Sequence, residues 1–128
     1  WLAEKLRGQF GADTDAELAA LVTRAPLDLR VNRRKADVAT VRQMLPEAAA
    51  IPGVPCGLRL AQGDAAVEQS PAFAEGLVEV QDGGSQMIAL ACGAKPGATV
   101  IDLCAGAGGK TLALAADMAG QGRLIACD

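Results

Sequence analysis

Apolar and polar positions along the chain change period several times, and each change marks an expected element. In "WLAEKLRGQF" the side chains of Trp1, Leu2, Leu6 and Phe10 recur at helical spacing, and "DAELAALVTRA" repeats the pattern behind two candidate caps, Asp13 and Thr14. This predicts two short helices, or one helix broken at Gly11. The period then shortens to two. Leu27, Leu29 and Val31 alternate with Asp28, Arg30 and Asn32, as in a half-buried strand. "KADVATVRQML" returns to helix, with Val38, Val41, Met44 and Leu45 on one face until Pro46 ends it. Loops around a short strand at residues 58–60 are expected next, then a turn of helix at "SPAF" and a second alternating strand in "GLVEVQD".

The last third has a different grammar. "SQMIALACGA" predicts a helix ended by Gly93, with Met87, Ile88, Leu90 and Ala91 as its buried side. "ATVIDLC" is apolar without alternation, which suits a strand covered on both faces. A helix over "GKTLALAADMAG", ending at Gly120 or Gly122, and a strand at "RLIACD" complete a βαβ unit. The expected fold class is α/β: a helical connector over 1–22, a small RRM-like α+β domain over 23–81 with a split βαβ arrangement, and an incomplete open α/β sheet over 82–128. The chain opens at Trp1 and stops at Asp128 just after a predicted strand, so a fragment is expected.

Composition sharpens this in three places. Of 128 residues, 51% are hydrophobic, enough for a core, but no apolar run nears the roughly 18 residues of a membrane span. With no basic leader before an apolar segment, a cytoplasmic protein without a membrane partner is expected. The net charge of −3 excludes nucleic-acid binding through bulk charge, yet residues 24–42 hold Arg24, Arg30, Arg33, Arg34, Lys35 and Arg42 against Asp28 and Asp37. That island is either a solvated face or a phosphate-contacting patch. Base stacking is a poor option for it, since the aromatic residues are Trp1, Phe10 and Phe73 alone. The four cysteines, Cys56, Cys92, Cys104 and Cys127, form no C-x-x-C pair and there is no histidine, so no metal site is expected. They read as free buried thiols, with Cys92 and Cys127 packed on apolar sides.

Between the last two strands, "DLCAGAGGKT" leaves three ligand classes to weigh. A phosphate loop of the G-x-x-x-x-G-K-[ST] type keeps only its tail here, Gly109, Lys110 and Thr111, because Cys104 stands where the leading glycine belongs. A dinucleotide turn finds Gly106 and Gly108 but meets Thr111 at the third glycine. S-adenosylmethionine asks for less: a strand ending near an acid, a small-residue turn, and an acid after the next strand for the ribose diol. Asp102, the run Cys104, Ala105, Gly106, Ala107, Gly108, Gly109, and then Asp128 supply these in order. Helix N-terminal amides after Gly108 would receive the carboxylate of the methionine moiety.

This stretch closely resembles the D-L-C-A-A-P-G-G-K-T signature of the Sun/Fmu-type RNA cytosine-5 methyltransferases. "VQDGGSQM" is similar to the element with Gln-Asp and Ser-Gln pairs that precedes it in that family, and "PLDLRVN" is similar to its P-x-x-x-R-V-N segment. Ala107 stands where the family usually has proline and Gly106 where it has alanine, which loosens the turn without removing its amides. The resemblance implies a Rossmann-like methyltransferase domain over 82–128 that binds S-adenosylmethionine through Cys104, Ala105, Gly106, Ala107, Gly108, Gly109, Lys110 and Asp128. The substrate it implies is a cytosine C5 in RNA, ribosomal RNA foremost. In such enzymes one cysteine thiolate adds to C6 of the base and a second assists release. Both belong to motifs beyond the cofactor turn, so no catalytic residue is expected within residues 1–128, and the isolated chain is expected to be inactive and open to self-association. "PCG" at Cys56 lies before the cofactor strand and lacks the serine of the nucleophile motif. Lys110 could orient a carboxylate or phosphate at the turn, or begin an exposed helix. Arg30 and Asn32 could face RNA or the cofactor domain. A binding module without chemistry and a nucleotide-dependent enzyme remain the alternatives.

Overall fold

A computed structural model describes residues 1–61 and 67–128. The alternating stretch after Pro26 is β1 (Leu27–Val31), the strand around which an antiparallel sheet is built. It pairs with β3 (Gly57–Leu60) on one side and β4 (Val78–Val80) on the other, while β2 (Ala49–Ala50) extends the sheet beyond β3. The order β2-β3-β1-β4 sets Leu29 opposite both Leu58 and Val80, and Val31 opposite Val78. This is a ferredoxin-like sheet. Residues 62–66 of the expected loop region lie outside the described residues.

Helices α3 (Val38–Met44) and α4 (Pro71–Ala74) supply residues to the core built on this sheet, where Leu29, Val31, Val41, Leu58, Ala72 and Val78 are buried. Both helices start on side-chain caps. Asp37 accepts from the Thr40 N–H at 2.7 Å and Ser70 from the Phe73 N–H at 3.3 Å, with Pro71 at the first helical position. The expected burial of Met44 is not observed: α3 ends there, and Leu45 takes the inward place.

At the amino end, α1 (Leu2–Phe10) and α2 (Thr14–Val22) are separated by a 3₁₀ turn at Gly11–Asp13, and the break falls at Gly11, whose φ of 53° suits glycine. Asp13 does not cap α2 with its side chain; Thr14 Oγ1 instead donates back to the Gly11 carbonyl at 2.7 Å.

β1 is buried on both faces, which its alternating sequence did not announce. Leu29 and Val31 enter the apolar core, while Asp28 and Arg30 lie under α5 (Gly83–Ala91). Gln86 of α5 donates through Nε2 to the carbonyls of Leu29 (3.2 Å) and Gln81 (2.8 Å), and the Gly83 N–H donates to Asp28 Oδ2 (3.0 Å). The buried side of α5 is therefore Gly83, Gln86 and Ala89, and the expectation for Met87, Ile88 and Ala91 is corrected: all three are exposed. Small residues and one amide let α5 sit close to the sheet, which turns its bulky apolar face outward.

Parallel strands β5 (Thr99–Asp102) and β6 (Arg123–Ala126) flank α6 (Gly109–Asp117) in the expected βαβ order. α6 packs against α5 and buries Ala113 and Leu114. Gly122, at φ 110°, lets the turn into β6 pass close to β5, because a Cβ there would stand 2.3 Å from the Ala98 carbonyl oxygen. Cover on both faces of β5 is not found among the described residues: Ile101 is 56% exposed. The expected packing of Cys92 and Cys127 is likewise corrected: both are exposed, as is Cys104, and Cys56 is half-buried.

Candidate functional site

Two backbone hydrogen bonds close the end of the parallel pair. The Cys127 N–H donates to the Asp102 carbonyl at 2.8 Å, and the Ala105 N–H donates to the Cys127 carbonyl at 2.9 Å. Together they tie the start of the glycine turn to the residue before Asp128, so the strand-end acid and the turn share one edge. Cys104, Ala105, Gly106, Ala107, Gly108, Gly109, Lys110 and Asp128 are thus brought together at the carboxyl ends of the two strands, the place where open α/β sheets bind ligands. Asp102 stands behind the turn and accepts a 2.6 Å hydrogen bond from Thr111 Oγ1.

The turn folds this way because two glycines take left-handed backbone, Gly106 at φ 52° and Gly108 at φ 87°. A Cβ at either would have nothing within 4 Å, so the concave side of the turn is open. Gly108 caps α6 without a side-chain acceptor; its own N–H reaches the Ala105 carbonyl (2.8 Å) and its carbonyl accepts from the Leu112 N–H (2.8 Å). Among the described residues the N–H groups of Gly106, Ala107, Gly109, Lys110 and Thr111 have no acceptor. Such a cluster at a helix N-terminus favours an anionic group. Lys110, half-buried, makes no ion pair among the described residues.

The Thr111 hydroxyl is committed to Asp102, which fixes the first turn of α6 to the end of β5.

Behind the turn lies a polar seam that sequence reasoning passed over. Arg30, the residue left undecided, points inward: its Nε donates to Gln81 Oε1 at 2.7 Å and Nη2 pairs with Glu79. Arg30 is therefore withdrawn from the basic island, whose remaining members Arg24, Arg33, Arg34, Lys35 and Arg42 are exposed. Asn32 serves its own loop, donating through Nδ2 to the Gly76 carbonyl (3.2 Å) and accepting from the Arg34 N–H (3.2 Å). Gln81, 7% exposed, lies against the start of α6: a Cβ on Gly109 would stand 3.6 Å from its Nε2. At the other end of the seam Asp28 accepts from Arg59 at 2.6 and 2.8 Å, and the Arg59 guanidinium holds its carboxyl below the usual 3.8, aided by the Gly83 N–H against the opposing effect of burial. The sequence signal for these residues was present in the P-x-x-x-R-V-N and Gln-Asp segments, but a motif names residues without saying which way they point.

Among the described residues no cluster of three or more potential metal ligands occurs, and no helix is long and apolar enough to cross a membrane.

A ferredoxin-like sheet leading into a parallel βαβ unit with a glycine turn at the strand ends defines a mixed α/β protein. Residues 1–68 match the family described as "Methyltr_RsmF/B-like, ferredoxin-like domain", and the chain belongs to that family. It is 38% identical over its whole length to "Probable ribosomal RNA small subunit methyltransferase B" of Synechocystis sp., covering 30% of that relative. It is 40% identical to ribosomal RNA small subunit methyltransferase B of Xylella fastidiosa over 86% of the chain and 26% of the relative. The chain thus spans less than a third of the curated relatives it matches. Among solved structures, it is similar to PH0851 (TM-score 0.87, 34% identity, all of this chain and 30% of that one). It is also similar to a methyltransferase homolog protein from Pyrococcus horikoshii (TM-score 0.83, 27% identity, 98% of this chain and 42% of that one).

Proposed function

We propose that this chain is the cofactor-holding part of an S-adenosylmethionine-dependent methyltransferase that modifies cytosine C5 in ribosomal RNA. One observation carries the reading: unpaired amides on an open glycine turn, stitched by Cys127 to the strand end that bears Asp128. The residues fit the group. The N–H groups of Gly109 and Lys110 would take the carboxylate of the methionine moiety. Gly106 and Ala107, with no side chain beyond a methyl, would let the nucleoside lie close to the backbone, and Asp128 would accept from the ribose hydroxyls. The Lys110 ammonium adds a positive charge beside the carboxylate. When bound, the cofactor supplies an electrophilic methyl group.

The relatives named for ribosomal RNA support the substrate class, and the exposed arginines of the island would supply phosphate contacts from the ferredoxin-like side. The thiols that attack the base and release it belong to the part of the whole protein outside these 128 residues. Cys56 is packed against the ferredoxin-like core, and among the described residues the only hydrogen bond of a cysteine side chain runs from Cys92 Sγ to the Ile88 carbonyl. Alone, the chain transfers no methyl group.

Thermal unfolding with added ligand tests the cofactor reading. S-adenosylhomocysteine should raise the melting temperature in a concentration-dependent way, whereas ATP and NAD should not. A shift with ATP or NAD and none with the homocysteine nucleoside would reject it. Salt-sensitive RNA binding without any nucleoside effect would favour a binding module instead.

A further inference from the structure

The amide of Gln81 has an assigned orientation and an unspent hydrogen bond. Arg30 Nε can only donate, so the Gln81 atom 2.7 Å from it must be the oxygen, and this fixes Nε2 on the opposite side of the amide. Nε2 is fully buried and has no partner among the described residues, although the residue is 7% exposed and a buried amide N–H without an acceptor is costly. It faces the first residue of α6, where a Cβ on Gly109 would stand 3.6 Å from it. The neighbouring unpaired atom, Gln86 Oε1, has a simple explanation. Gln86 lines a cavity of about 20 Å³ with Ala89, Ala113 and Ala116, room enough for one water. Gln81 is not among the residues lining it.

We infer that Gln81 Nε2 is a ligand-binding donor, reserved for a carboxylate seated on the N-terminal amides of α6 and aimed there by Arg30 as a positioning residue. The inference rests on the cofactor reading above and deepens it: the amino-acid end of the ligand is read by the ferredoxin-like side of the molecule, from the segment that follows β4. Glu79 neutralises the Arg30 charge, so Arg30 orients the amide without itself competing for the carboxylate.

The test compares two probes on the 128-residue chain by calorimetry: S-adenosylhomocysteine, which carries the carboxylate, and methylthioadenosine, the same nucleoside thioether without it. In the Gln81→Met variant, which keeps the length and removes the donor, affinity for S-adenosylhomocysteine should fall about 10- to 100-fold, the effect of a hydrogen bond to a charged group. Affinity for methylthioadenosine should stay within about twofold. Gln81→Glu keeps the bond from Arg30 but offers an acceptor to the carboxylate, so it should discriminate against S-adenosylhomocysteine at least as strongly and serves if the methionine variant does not fold. Equal weakening of both probes, or no weakening of either, overturns the role of Gln81 and leaves the cofactor reading standing. A wild-type chain that binds neither probe removes the cofactor reading and this inference with it.

Discussion

The ferredoxin-like sheet and the parallel βαβ unit use apolar residues of the same kind with opposite results. In the sheet, Leu29, Val31, Val41 and Leu58 are all 0% exposed, because α3 and α4 close over one face and α5 over the other side of β1. In the βαβ unit, Ile101 is 56% exposed, Leu103 73% and Leu112 50%. One region has its core complete; the other leaves an apolar surface open. The difference teaches that apolar content predicts burial only where the partners that do the burying are present. Between the two regions the glue is polar: Asp28, Arg30, Gln81 and Gln86, four of the five buried polar residues among those described, all lie along the seam.

Substitutions can sharpen this contrast. Leu58→Ala should cost about 2–5 kcal/mol in denaturant unfolding, as expected for a fully buried leucine; a cost under about 1 kcal/mol would mean that the sheet core is not closed. Gly122→Ala should cost about 2 kcal/mol or more, through left-handed strain and the clash with the Ala98 carbonyl, and should loosen the βαβ unit before the sheet. Hydrogen exchange would report the order. Asp28→Asn removes the charge facing Arg59 and should cost about 1–3 kcal/mol at neutral pH.

Its pH dependence gives a second readout. The folded carboxyl sits below its ordinary 3.8, so its stabilisation is complete above that value and is lost as pH falls through the folded one. The wild-type chain should therefore lose more stability than Asp28→Asn between neutral pH and about pH 3. Parallel acid limbs for the two proteins would contradict the seam as drawn. Asp37, lowered chiefly by the Thr40 N–H at the start of α3, titrates in the same direction in both. The smallest effect should come from Ile101→Ala, within about 0.5 kcal/mol in this chain, since water already covers that side chain. A loss comparable with that of Leu58→Ala would mean that the open face of β5 is covered in solution, for instance by self-association.

Much of this was readable along the chain. The alternation at 27–31, the turn of helix at SPAF, the break at Gly11 and the glycine turn between two strands are local patterns, and local hydrogen bonding or backbone freedom is what makes them. The glycine turn was legible for the same reason: its backbone is shaped by consecutive residues, and consecutive residues are what a sequence records. The packing of α5 was not. Periodicity put Met87 and Ile88 inside, yet the sheet accepted Gly83, Gln86 and Ala89, because close approach to β1 depends on side-chain size across elements about 55 residues apart.

By itself, then, the sequence determined the longer elements, their order and the glycine turn, since each is set by neighbours in the chain; the two-residue β2 was not among them. Tertiary structure alone decided that Arg30 looks inward, that β1 is buried on both faces and that Gln81 stands behind Gly109 with a free N–H. Direction and partnership of a polar side chain depend on what surrounds it in space, and no spacing along the chain encodes that.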